Sequence, residues 1–162
     1  MLTTRLVPWL LLATLAVVAC GASTTPAGRS GAQPAILSME QVRDETRGHA
    51  TVLLFTAQGC ASCAADAQAL QAAARGRSDV RLVGVDMTAG DTAQSLAGYV
   101  QAIGLQSSGF VWTIDGDGAL TRRYGIASLS STVLLDSAGQ GRVVNQGPVD
   151  AGTYARQLSE LR

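Results

Sequence analysis

The chain has 162 residues, 47% of them hydrophobic, and a formal net charge of zero. That length suits one domain with a substantial core. With no lysine, no basic stripe and no aromatic platform for single strands, the composition argues against nucleic acid as a partner.

Met1 to Arg5 form a short positive segment, and Leu6 to Ala19 an apolar run of signal-peptide length, too short to span a bilayer with ease. The run ends Val17-Val18-Ala19-Cys20, followed by Gly21-Ala22-Ser23. Small residues before a cysteine resemble the bacterial lipobox. That resemblance implies a lipoprotein signal peptide over 1–19 and a lipidated Cys20 that begins the mature protein. Each buried CH₂ of its acyl chains contributes about 0.8 kcal/mol, and more than one chain gives stable anchoring. An ordinary secretory signal followed by a free cysteine is the rival reading, and a retained transmembrane helix a third. Either signal places the domain outside the cytoplasm, where disulfides persist. Residues 20–35, rich in Gly, Ala, Ser, Thr and Pro, read as a flexible tether, and 36–162 as the folded domain.

Ser38-Met39-Glu40-Gln41 matches a capping box, with a short helix to about Arg47. Thr51 to Thr56 is apolar without alternation, which predicts a strand buried on both faces. A helix from Cys60 to about Arg75 follows, stopped at Gly76. Arg81 to Asp86 is a second buried strand. Asp91-Thr92-Ala93-Gln94 opens a helix with Leu96, Tyr99, Val100 and Ile103 on one face, ending at Gly104. Phe110 to Ile114 predicts a strand, Asp115 to Gly118 a turn, and Ala119 to Tyr124 a short helix. That turn lacks the later ligands and terminal Glu of a calcium loop. Thr132 to Asp136 and Arg142 to Asn145 predict a hairpin, and Asp150 caps a final helix to Leu161. This order gives an α/β fold: a central mixed sheet with helices on both faces and a right-handed first crossover.

Within this plan Cys60-Ala61-Ser62-Cys63 carries the chemistry. Cys60 sits where a helix begins, at the C-terminal end of a strand, where α/β sheets place their sites. The free N–H groups and partial positive charge of a helix N-terminus stabilise a thiolate, which brings a cysteine pKa from about 8.5 to roughly 3.5–7.5. Cys63, one turn on, is close enough to close a small disulfide ring. Cys60 would attack a disulfide and Cys63 resolve the mixed disulfide. A zinc site needs four ligands, and beyond this pair the chain has only Cys20 and His49. A purely structural disulfide would be a weak staple, because so short a loop removes little unfolded-state entropy. His49, before the central strand and at the opposite end from Cys60, reads as a surface residue.

The motif Phe55-Thr56-Ala57-Gln58-Gly59-Cys60-Ala61-Ser62-Cys63 resembles the aromatic–Ala–x–Trp–Cys–x–x–Cys of the thioredoxin superfamily. Asp115 to Gly118 through Tyr124-Gly125-Ile126, and Leu129-Ser130-Ser131-Thr132 through Asp136 and Gly139, are similar to further family segments. The nearest branch is the membrane-tethered, TlpA-like or ResA-like thiol–disulfide oxidoreductases, over roughly 36–162. The resemblance implies a thioredoxin-like fold, Cys60 as nucleophile and Cys63 as resolving cysteine. It implies protein disulfides or dithiols as substrates, apocytochrome c among them, a membrane electron donor or acceptor, and no organic cofactor. Asp66 matches an acid near the branch's active site; taken alone, it reads as a first-turn helix acid.

Four positions depart from the family pattern. Gly59 replaces a tryptophan, Leu54 a buried Asp, and Gln68 a helix-kinking proline. Ser130 stands where the family has a cis-proline; because a non-proline cis bond costs about 3–4 kcal/mol, a trans bond is expected here. A serine there has three readings: changed substrate docking, a hydroxyl bonded to the thiolate, or loss of reductase function. Two other classes therefore stay open, a copper-handling redoxin and a non-catalytic binding lipoprotein of the same fold. The CxxC spacing and the absence of histidine after Cys63 weigh against copper.

Overall fold

A computed structural model describes residues 33–161; the signal peptide, Cys20 and most of the tether lie outside the described residues. The elements run β1 (Ala35–Ile36), α1 (Met39–Thr46), β2 (Ala50–Thr56), α2 (Ala61–Ala73), β3 (Val80–Asp86) and α3 (Ala93–Ala102). They continue as β4 (Phe110–Ile114), α4 (Ala119–Arg123), β5 (Ser131–Leu135), β6 (Gly141–Asn145) and α5 (Ala151–Ser159). One six-stranded sheet has the order β1-β4-β3-β2-β5-β6. The first four strands in that order are parallel to their neighbours; β5 runs antiparallel to β2, and β6 antiparallel to β5.

The apolar run of β2 is buried along its whole length, as a central strand requires. Its side chains alternate between two cores. Val52 and Leu54 pack with Leu70 of α2, Leu96 and Val100 of α3, and Tyr154 and Leu158 of α5. Leu53 and Phe55 pack on the other face with Val42 of α1, beside Leu120 and Tyr124 around α4. Each fully buried Val, Leu or Phe contributes about 1.5–3 kcal/mol by leaving water, so the two faces hold the domain together. The expected mixed sheet, covered on both sides, is what forms.

Helix starts follow local chemistry. Ser38 and Gln41 close a capping box on α1, and Asp150 accepts the Thr153 N–H at the start of α5. Several expected boundaries shift by one or two residues: α2 ends at Ala73 rather than Arg75, and β5 runs Ser131–Leu135 rather than Thr132 to Asp136. Within the expected Asp91–Gln94 start of α3 the cap is Thr92, bonded reciprocally with Ser95, and the Asp91 carboxylate is used elsewhere. α5 ends at Ser159, short of Leu161. β1, two residues long, has no periodicity to betray it and exists because β4 offers it a parallel edge. The Asp115 turn is held by its own carboxylate, which accepts the N–H groups of Leu120 and Thr121 and the Thr121 hydroxyl.

Candidate active site

β2 ends at Thr56, and three residues later the chain turns into α2. Gly59 makes that turn with φ +76°, a left-handed conformation that glycine adopts without steric cost and other residues rarely reach. Cys60 is the N-cap of α2: its backbone is extended, and its sulfur accepts the Cys63 N–H at 3.2 Å. The Ser62 hydroxyl lies 3.3 Å from the same sulfur. Cys60 and Cys63 form a disulfide, with Cα atoms 5.3 Å apart. Cys60 is half-buried, whereas Cys63 is fully buried. Cys60 is thus the more accessible partner of the disulfide.

Asp66 lies one turn beyond Cys63 and is only 3% exposed. Its Oδ1 accepts the main-chain N–H of Val149 at 3.1 Å, while Oδ2 completes no hydrogen bond of normal geometry. Burial pushes this carboxyl above its ordinary range; the Val149 N–H and the neighbouring Tyr154 and Ser130 hydroxyls offset part of that effect. The Tyr154 hydroxyl in turn meets Thr132 Oγ1 at 3.3 Å, and burial drives its phenol well above the usual value. Thr132 pairs across the sheet with Leu54. The strand carries no acid at Leu54, and the buried carboxyl on this side of the sheet is Asp66 of α2.

Ser130 closes the site from the β5 side. All peptide bonds of the described residues are trans, including the one before Ser130, as expected. Ser130 holds φ +60°, the one non-glycine residue among those described with positive φ. Its N–H donates to Phe55 O at 2.9 Å, which ties the loop to the end of β2. The side chain is fully buried, and its hydroxyl lies beside the Asp66 carboxyl without completing a hydrogen bond of normal geometry. A non-glycine residue held left-handed, with a buried hydroxyl so placed, is a costly arrangement of the kind that gathers at functional sites.

The remaining departures occupy different surroundings. Gln68 donates its amide to Ile103 O at 2.9 Å, so α2 is laced to the end of α3 where the family pattern has proline. His49 sits at the far end of β2, 3.3 Å from an Arg81 nitrogen, and plays no part near the cysteines. A separate cleft of about 290 Å³ opens at that far end between α1, α4 and the turn after β5; no residue of the disulfide loop lines it.

Four neighbours of the site escaped sequence reading. Tyr154 and Val149 come from the C-terminal segment, and no local pattern links them to Asp66. Asp86 and Asp91 lie beside the loop before Cys60. The one visible signal for Asp86 was an acid ending a strand that is otherwise apolar.

Compared by sequence, the chain matches no protein-family profile and no curated protein. Solved structures do resemble it. The dsbF of MTB, in mixed oxidised and reduced forms, matches with a TM-score of 0.62 and 23% identity over 74% of this chain and 85% of that one. A secreted disulfide oxidoreductase of Mycobacterium tuberculosis, homologous to DsbE of E. coli, matches at 0.60 and 21%, over 73% and 86%. The exposed lipoprotein thioredoxin Etrx1 of Streptococcus pneumoniae matches at 0.59 and 18%, over 73% and 89%. At these identities the likeness is one of architecture, and the fold of this chain is thioredoxin-like.

Proposed function

We propose that this chain is an extracytoplasmic thiol–disulfide oxidoreductase acting on protein disulfides or dithiols. The observation that carries the reading is the Cys60–Cys63 disulfide at the N-terminus of α2, with one sulfur half-exposed and the other buried above Asp66.

In the reducing direction both cysteines begin as thiols. The Cys60 thiolate, favoured by the helix N-terminus and the Cys63 N–H, attacks one sulfur of a substrate disulfide. A mixed disulfide forms, and the other substrate sulfur leaves as a thiolate that takes up a proton. Cys63 then loses its proton, with Asp66 as the nearby base, and attacks Cys60 Sγ. The second substrate sulfur leaves, the Cys60–Cys63 disulfide closes, and two electrons have passed to the substrate. The reverse sequence oxidises a dithiol. Turnover needs an external dithiol or disulfide, for which a membrane electron donor or acceptor is the proposed partner. Apocytochrome c is one candidate substrate, on family resemblance alone.

The sequence before residue 33 supports placing the domain outside the cytoplasm, held to the membrane by lipid on Cys20. Two of the similar structures are described as a secreted protein and an exposed lipoprotein, which is consistent with that placement. The assignments of Cys60, Cys63, Asp66, Ser130 and Gly59 to the site are part of the same proposal.

The test is equilibration with defined glutathione ratios, reading Cys60 and Cys63 by alkylation and mass. A reversible midpoint is expected. A value near roughly −270 mV marks a reductant and one near roughly −120 mV an oxidant. Cys63→Ser should accumulate a mixed disulfide through Cys60. A pair that never exchanges points to a binding domain, and one that stays reduced with stoichiometric metal points to metal handling; either result defeats the oxidoreductase reading.

A further inference from the structure

A pair of acids stands beside the loop before Cys60. Asp86 ends β3 beside Thr56, the last residue of β2, and is fully buried. Its Oδ1 accepts the N–H and hydroxyl of Thr88, at 3.1 and 2.8 Å. Its Oδ2 is buried with no donor from any hydroxyl, amide or cation. The Asp91 carboxyl is its hydrogen-bonding neighbour and, with burial, disfavours the ionised form of Asp86. Asp91 also reaches the loop: its Oδ2 accepts the Gln58 amide at 2.6 Å, and its Oδ1 accepts the Ser95 hydroxyl at 3.4 Å. The main-chain N–H of Gln58 donates to Thr88 Oγ1 at 3.2 Å. Gln58, two residues before Cys60, is thus anchored at both its backbone and its side chain to groups that bond these acids.

We propose that Asp86 and Asp91 act as a proton-sharing carboxyl pair that positions the loop before Cys60, so that Cys60 reacts differently according to whether the pair holds its proton. The inference rests on the thiol chemistry proposed above for Cys60.

The surroundings leave the pair little other means of balancing charge. From β2 it faces Thr56, whose hydroxyl meets the Tyr99 hydroxyl of α3 at 3.4 Å. From the end of β4 it faces Asp115, whose oxygens are already engaged by Leu120 and Thr121. Among the described residues no Arg or His forms an ion pair with either acid. With one shared proton, the pair carries a single negative charge, distributed over the donors of Thr88, Gln58 and Ser95. Without it, two like charges meet at the buried end of β3, and each disfavours the other. Asp86 cannot move without breaking the end of β3. Asp91, half-buried in the segment before α3, can, and Gln58 moves with it. Burial of Asp86, with Asp91 beside it, raises the Asp86 carboxyl to about 6. The change overlaps the range of roughly 3.5–7.5 to which a helix N-terminus brings a thiol, so the variants, and not the position on the pH axis, tell the two ionisations apart.

The sign follows directly. As pH rises through the range of the pair, negative charge collects near Cys60 and disfavours its thiolate, so the thiolate fraction climbs less steeply with pH than it would for an isolated thiol. The test is the rate of Cys60 alkylation by iodoacetamide in the reduced full chain, followed by mass from pH 4.5 to 9. The wild-type profile should contain two ionisations, the lower accompanied by a roughly two- to fivefold step, the size a partly screened charge interaction gives. Asp91→Asn and Gln58→Ala should each leave a single ionisation, and Asp91→Glu should restore the lower one. Asp66→Asn, which removes the other buried acid of the site, should leave it in place. Asp91 is chosen over Asp86 because its partial exposure makes an amide tolerable.

A wild-type profile with one ionisation overturns the proposal. So does a lower ionisation that survives in Asp91→Asn, or one that disappears in Asp66→Asn instead. Alkylation requires no disulfide exchange. A chain that fails to equilibrate with glutathione yet keeps the Asp91-dependent step defeats the oxidoreductase reading and leaves the pair standing.

Discussion

Asp66 on α2 accepts the N–H of Val149, 83 residues later, at 3.1 Å. This bond joins the helix that carries both cysteines to the segment that leads into α5, and it fixes the carboxylate one turn behind Cys63. Because burial holds Asp66 above its ordinary range, the folded chain binds its proton more tightly than the unfolded chain does. The stability it contributes is present at low pH and is lost as pH rises from the ordinary carboxyl range through the raised value. Asp66→Asn keeps an acceptor for Val149 and should flatten this component, giving a higher urea midpoint than wild type at neutral pH. The same variant should slow release of the mixed disulfide by about 100-fold or more, the usual weight of a general base. Denaturation from pH 3 to 8 and single-turnover kinetics check the two halves.

Ser130 carries a backbone that glycine would hold at no cost. A left-handed L-residue costs roughly 1–2 kcal/mol. Ser130→Gly should therefore raise stability by about 1 kcal/mol, measured by denaturant midpoint in the oxidised chain. Ser130→Ala keeps the strained backbone and removes the buried hydroxyl beside Asp66, so its gain should be smaller. If Ser130 is a site residue, both variants should change the glutathione midpoint or the exchange rate despite folding at least as well as wild type.

Gly84 lies on β3 directly beneath the indole of Trp112, where an added Cβ would come within 2.2 Å of the ring. Trp112 is fully buried, stacks on Phe110 with centroids 5.3 Å apart, and meets Tyr99 edge-on. It cannot retreat without displacing both neighbours. Gly84→Ala should lower stability by about 1–3 kcal/mol through overpacking, read from the denaturant midpoint.

Asp115 receives three donors at the start of α4, with the Thr121 hydroxyl at 2.6 Å. Asp115→Ala should cost about 2 kcal/mol, toward the upper end for loss of a helix cap. Hydrogen exchange at Leu120 and Thr121 should accelerate more than exchange in β2, because the damage is local.

Features that depend on near neighbours were legible in the sequence alone. The unbroken apolar run from Thr51 to Thr56 demanded a central strand, and burial of all seven residues of β2 follows. The caps at Ser38 and Asp150 each join residues three apart, so type and spacing suffice to find them. The Cys60 loop is of the same kind: strand, glycine turn, N-cap and first helical turn lie within a dozen residues.

Tertiary structure alone decided the environment of that loop. Asp66 read equally well as a helix-start acid, and its meaning changed when Val149, Tyr154 and Ser130 closed around it. Asp91 looked like the opening of a helix until Thr92 took the cap and left its carboxylate to Gln58 and Asp86. Ser130 showed in the sequence only as a missing proline; its positive φ and the bond from its N–H to Phe55 O belong to the fold. The physical reason is common to all three. A capping bond is set by the rotamers of a few adjacent residues, whereas the charge and pairing of a buried polar group depend on whichever distant segments the sheet brings over it.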